Sequence, residues 1–120
     1  MKLKYKIIVN NKFLNLLDPS IRGLTLYPFI FLKHKHLILD KVLINHEKIH
    51  LKQQLELLII PFYILYLLNY LINIIKYKSH LLAYYNIIFE REAFINENDI
   101  NYLRERKIFA FYDYIKKPVR

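Results

Sequence analysis

The sequence predicts a single α+β domain, mostly helical, with a small β-sheet at its N-terminal end. Three observations carry this. At 120 residues the chain is long enough for one compact core and too short for two. Its N-terminal part holds alternating and β-branched or aromatic runs of strand length. From residue 40 onward it holds apolar runs of helical length behind a good helix cap.

Residues 3–9, LKYKIIV, alternate and then turn apolar, the pattern of a strand. Asn10-Asn11 is a turn signal, and Phe13 to Leu17 fit a short helical turn ended by Asp18-Pro19-Ser20. Residues 21–32, IRGLTLYPFIFL, read as a second strand. Pro28 has no N–H for a ladder, so this strand is expected to have a free edge. Asp40 suits the N-cap of a helix carrying Val42 to about Ile60. Residues 57–75 are almost wholly apolar, interrupted by Asn69 and Asn73 and closed by Lys76-Tyr77-Lys78-Ser79. A further helix is expected over 80–97, and Asp99 suits the cap of a last one reaching about Ile115. There is no internal repeat and no linker.

The absence of cysteine excludes disulfides, thiolate metal sites and cysteine nucleophiles. Gly23 is the one glycine, so no phosphate-binding glycine loop exists and nucleotide hydrolysis is not expected. The abundance of Lys, Ile, Asn and Tyr fits a low-GC bacterial genome. The N-terminus lacks the apolar segment and cleavage site of a signal peptide, so export by that route is not expected.

The net charge of +9 admits a nucleic-acid face or an anionic membrane surface. The basic residues are scattered and several flank apolar runs, which favours the membrane surface and predicts no nucleic-acid partner. By length alone, 57–75 could span a bilayer. A full crossing would leave everything after Lys76 on the far side from residues 46–50. A segment kinked at Pro61 and lying at the interface, with Tyr63, Tyr66 and Tyr70 at headgroup level, avoids this. The expected location is the inner membrane or its cytoplasmic face.

His46-Glu47-Lys48-Ile49-His50 spells HExxH. On a helix, positions i and i+4 share a face, so both imidazoles can reach one metal ion. Glu47 then stands beside the metal as general base for a water that the ion acidifies, which is the chemistry of zinc-dependent peptide-bond hydrolysis. Such a site needs a third protein ligand and an open position for water. Candidates are His80, Glu90, Glu92 and Glu97. His80, Ala83, Ile87, Glu90, Phe94 and Glu97 share one face of the expected 80–97 helix, with Glu92 pointing away from it. His34 and His36, flanking Lys35, read as an exposed basic loop. Glu97, Asp99, Arg104, Glu105 and Arg106 read as solvated helix charges.

The stretch HEKIHLKQQLELLII, followed about forty residues later by FEREA, resembles the core of the membrane-associated gluzincin metallopeptidases. That group includes the CAAX prenyl protease and the heat-shock membrane protease. The likeness is nearer to the peptidase domain of the beta-lactam sensor-transducers, and it covers roughly residues 40–97. It implies a zincin-like domain, a Zn2+ cofactor and a peptide or protein substrate that lies along an edge strand. It places the third metal ligand at Glu90, the Glu of the Glu-x-x-Ala match Glu90-Arg91-Glu92-Ala93. The family's Asp after that alanine, which supports a metal-bound histidine, is Phe94 here. Asp99, Asn45 or a backbone carbonyl are the candidate substitutes. Tyr84, Tyr85 and Tyr102 are the candidates for stabilising the oxyanion.

The alternative is a non-catalytic membrane-surface or metal-binding protein with a degenerate zincin site, docked through 57–75. Length arithmetic separates the two. A straight helix over 46–75 would put its far end nearly 40 Å from His50, at about 1.5 Å per residue. A fifteen-residue helical return recovers only about 22 Å. The metal reading therefore requires a break near Pro61 or an extended return through 76–81.

Overall fold

The computed structural model describes residues 3–118. It is a mostly helical α+β fold with one three-stranded sheet near the N-terminus. The strands are β1 (Lys6–Val9), β2 (Gly23–Leu26) and β3 (Phe29–Leu32), in spatial order β1-β3-β2. The central β3 runs parallel to β1 and antiparallel to β2. The single strand expected over 21–32 is therefore a hairpin. Tyr27 and Pro28, joined by a cis peptide, form its turn, so Pro28 interrupts the run, with only its carbonyl used, accepting from the Lys6 N–H at 3.0 Å. Between β1 and β2 lies helix α1 (Asn11–Leu17), where the Asn10 side chain accepts from the Phe13 N–H at 3.0 Å.

Helix α2 (Lys41–Glu56) starts as expected, with Asp40 Oδ1 accepting from the Leu43 N–H at 3.0 Å. It packs across β2 and β3, and Leu51 joins Ile30, Leu32 and Leu37 in the core. The helix stops at Glu56, short of Ile60. Leu58 and Ile59 take left-handed backbone angles (φ 59 and 71), and helix α3 (Ile60–Tyr77) restarts with Pro61 in its first turn. Left-handed geometry costs a branched residue about 1–2 kcal/mol. The turn offsets this by giving the last carbonyls of α2 partners: the Leu57 N–H donates to Gln53 O at 3.1 Å and the Ile59 N–H to Gln54 O at 2.7 Å. The break near Pro61 that a metal site requires is thus present.

Helices α4 (His80–Tyr85) and α5 (Ile88–Asn96) replace the one helix expected over 80–97. The Ile88 N–H is capped by Asn69 Oδ1 of α3 at 2.8 Å, a tertiary contact with no local sequence signal. Phe62, Ile87 and Phe89 form a second core where α3 meets α5. The helix expected over 99–115 is reduced to α6 (Tyr102–Glu105) and a 3-10 turn at Ala110–Tyr114. Between them Arg106 turns inward to two carboxylates, Glu56 and Glu92.

The outer side of α3 is apolar. Ile64, Leu67, Leu68, Ile72 and Ile75 are all exposed, and 11 % of the helix is buried. Of the tyrosines expected at a lipid interface, Tyr63 and Tyr66 donate their hydroxyls to Gln54 and Glu90, and Tyr70 pairs with the exposed His80.

Candidate metal centre

α2 turns His46, Glu47, His50, Gln53 and Gln54 into the interior, and all five are buried. α5 brings Glu90 against them. His46 Nε2 lies 3.0 Å and His50 Nε2 2.9 Å from Glu90 Oε1, and the two nitrogens are 3.2 Å apart. Among the described residues this is the group of three side chains able to hold a metal ion. Bonds of about 2.05 Å in tetrahedral geometry place ligand atoms roughly 3.3 Å apart, close to the observed spacing.

The surroundings fix which ring atoms face that point. Gln53 Nε2 donates to Phe89 O at 3.0 Å and Glu92 Oε1 at 2.9 Å, so Gln53 Oε1 is the acceptor 2.8 Å from His50 Nδ1. His50 must then carry its proton on Nδ1, which leaves the Nε2 lone pair turned to the centre. His46 Nδ1 faces the Glu97 carboxylate at 3.6 Å, an ion-pair separation with the same consequence. Two lone pairs and a carboxylate oxygen thus converge, an arrangement stable only around a cation.

In the metal-free chain that cation is a proton. Burial pushes the His46 imidazole down, but its hydrogen bond to Glu90 and the neighbouring Glu97 outweigh this and push it up to about 10. His50 is raised by Glu90 against its own burial. Burial pushes the Glu90 carboxyl up, yet the two imidazoles hold it well below the usual carboxylate range.

Glu90 Oε2 accepts from the Tyr66 hydroxyl at 2.6 Å, orienting the carboxylate. Glu47 takes no part in the three-atom group. Its Oε1 accepts from Thr25 Oγ1 at 2.7 Å, and its Oε2 lies over Gly23, where a Cβ would come within 3.3 Å. The one glycine of the chain therefore makes room for Glu47. A cavity of about 200 Å³ opens over these groups, walled by β2, Phe62, Tyr63, Tyr66 and Tyr84.

The other sequence candidates lie elsewhere. His80 pairs with Tyr70, 2.6 Å away, and His34 stacks on His36 at the surface. Glu92 does point away from the Glu90 face, but into the interior, where Gln53, Tyr102 and Arg106 bind it. Arg106, read as solvated, pairs with Glu92 and, at 2.7 Å, with Glu56. Tyr102 is committed to Glu92 and Tyr85 packs on Phe94, leaving Tyr84 as the oxyanion candidate that lines the cavity. Phe94 meets the His46 ring edge to face, centroids 4.6 Å apart. Asn45 and Asp99 do not replace the missing Asp: Asn45 donates to the carbonyls of Glu97 and Asp99, and Asp99 accepts from the Asn101 N–H. Glu97 stands beside His46 instead. Sequence reasoning missed Gln53, Gln54, Thr25 and Tyr66. The two glutamines carried a signal, since positions 53 and 54 follow His50 at the three-and-four spacing that returns to its face.

No protein-family model, curated protein or solved structure matches this chain. The site's chemistry rests on its own geometry.

Proposed function

We propose that this chain is a zinc-dependent metallopeptidase of gluzincin type, working at a membrane surface. One observation carries the reading: two imidazole lone pairs and a carboxylate converge beside a separately held glutamate, in an apolar cavity along an edge strand. Two nitrogens and one oxygen are a donor set that suits zinc. His46, His50 and Glu90 would hold the ion, which when bound supplies a Lewis acid that acidifies water and polarises a peptide carbonyl.

The rest of the chemistry falls to this chain's residues. Glu47, oriented by Thr25, accepts the water's proton and passes it to the leaving amine. Tyr84 donates to the developing oxyanion. Burial, and then the charge of Glu90, push its ionisation far up, so it keeps its proton at any working pH. Tyr66 has its proton engaged on Glu90 and does not compete for this role. β2 receives the substrate as an extended chain. The apolar outer face of α3, with Lys76 and Lys78 at its end, supports docking on an anionic bilayer with the cavity left open.

Zinc content and hydrolysis of a quenched-fluorescent peptide mixture test this. The wild type should carry about one zinc per chain and cleave. Glu90→Ala should lose both, and Glu47→Gln should keep zinc but lose cleavage. Zinc without Glu47-dependent cleavage would leave a non-catalytic metal-binding protein, and no zinc would reject the reading.

A further inference from the structure

The free edge of the sheet is not wholly free. The Lys33 N–H donates to Arg22 O at 2.9 Å, and Gly23 stands opposite Leu32 in the β2–β3 register. Antiparallel ladders alternate, so Arg22, Leu24 and Leu26 turn their backbone groups to β3 while Gly23 and Thr25 turn theirs outward. Part of that outward row is already engaged. Gln54 Nε2 donates to Thr25 O at 2.9 Å, and Gln54 Oε1 accepts from the Tyr27 N–H at 2.8 Å. One amide bonding a C=O and the N–H two residues on does what the N–H and C=O of one residue in an added parallel strand would do.

The clamp is built in. Gln54 is 1 % exposed, and the Tyr63 hydroxyl donates to the same Oε1 at 3.2 Å. Displacing it would leave buried polar groups without partners, which burial penalises. Of that outward row there remain the N–H and C=O of Gly23 and the N–H of Thr25, and both residues line the cavity with Glu47. His50 and Gln54 are one helical turn apart, about 6 Å, and an extended chain advances about 3.3 Å per residue. Roughly two residues fit between the metal group and the clamp. Leu26, Phe62 and Tyr63 line the cavity together with Gln54, and its charged side chains all belong to the metal group and Glu47. Apart from those groups the cavity lining has no charged side chain to pair with a charged residue or a chain terminus.

We propose that Gln54 is a surrogate strand that ends the peptide-binding edge at Thr25. Substrates are then apolar peptide segments held by about two residues on that side of the cut bond, beyond which the chain leaves the sheet. This rests on the metallopeptidase reading and adds the substrate class to it.

The test is cleavage-site mapping by mass spectrometry on a mixed peptide library, using zinc-loaded wild type, Gln54→Ala and Glu47→Gln. The wild type should show a preference for uncharged apolar residues confined to about two positions on one side of the cut. Gln54→Ala frees Thr25 O and the Tyr27 N–H. It should extend the preference further along the peptide and raise kcat/KM on long strand-forming peptides by about tenfold, the worth of one or two backbone hydrogen bonds. Hydrogen exchange at the Tyr27 amide should accelerate in parallel. If Gln54→Ala does not fold, Gln54→Ser keeps a polar group in the gap and carries the same expectation. Glu47-dependent cleavage with the same positional preference in the variant overturns the clamp alone. Absence of Glu47-dependent cleavage in the wild type overturns the peptidase reading, and the substrate class with it.

Discussion

Helices α2 and α3 break the usual amphipathic rule in opposite directions. α2 buries Asn45, His46, Glu47, His50, Gln53 and Gln54 alongside Ile49 and Leu51. α3 buries only Phe62 and Asn73 and turns a row of Leu and Ile outward. A polar interior is tolerable only when each group has a partner, and in α2 each does, down to two imidazoles that share a cation with Glu90 of α5. An apolar exterior is tolerable when something other than water covers it. The difference teaches that the two helices do different work: one is built around a charge, while the other leaves an apolar face outward, the face proposed above to dock on a membrane.

The comparison breaks most sharply at Arg106, the counterion that lets the polar interior exist. Arg106→Met leaves Glu92 and Glu56 facing each other without a cation. It should lower stability by about 3–5 kcal/mol in urea melts. A loss under 1 kcal/mol would mean that the interior network is not what holds α2 against α5.

Next in size is the support of the metal group. Glu97→Ala removes the carboxylate beside His46 Nδ1 and should weaken zinc affinity about 10–100-fold in competition with a chromogenic chelator. Unchanged affinity would show that the ring contact with Phe94 orients His46 unaided.

The same group sets a pH dependence. In the metal-free chain the His46 value is raised from 6.5 to about 10, so its contribution to stability is complete below 6.5 and is lost as pH rises through about 10. Glu90 is depressed below its usual 4.5, so its contribution is present above 4.5 and lost as pH falls through its lowered value. The pair therefore stabilises the metal-free protein most between 4.5 and 6.5. A metal must displace the His46 proton, so affinity should rise with pH and binding near pH 7 should release a proton. Calorimetry in two buffers of different ionisation enthalpy reads that release directly, and its absence would contradict a charged His46.

The smallest expected effect on stability sharpens the other side. Leu68→Gln with Ile72→Gln on the outer face of α3 should shift melting by no more than about 0.5 kcal/mol per site and leave zinc affinity unchanged. Flotation with anionic phosphatidylserine vesicles should nevertheless fall. Equal flotation of the variant would assign that face another role.

Much of this was legible in the chain. HExxH at helical spacing behind the Asp40 cap announced a helix with two imidazoles on one face, while spacing left the third neighbour open among His80, Glu90, Glu92 and Glu97 and only the family resemblance pointed to Glu90. The need for a break near Pro61 followed from length alone. Less legible were the hairpin inside 21–32, the division of 80–97, and the inward turn of Arg106. Each depends on a partner distant in sequence: β3 needs β1 on its far side, Ile88 is capped from Asn69, and Arg106 answers Glu56 and Glu92.

By itself the sequence determined the α+β class, the capped helix with its metal-binding pattern and the apolar run after it, because these rest on periodicity and spacing within one element. Only the tertiary structure decided which carboxylate meets the histidines, which proton each ring carries, that Gln54 engages the sheet edge and that α3 faces outward. Those outcomes depend on pairings across tens of residues, and such pairings leave no period in a local window.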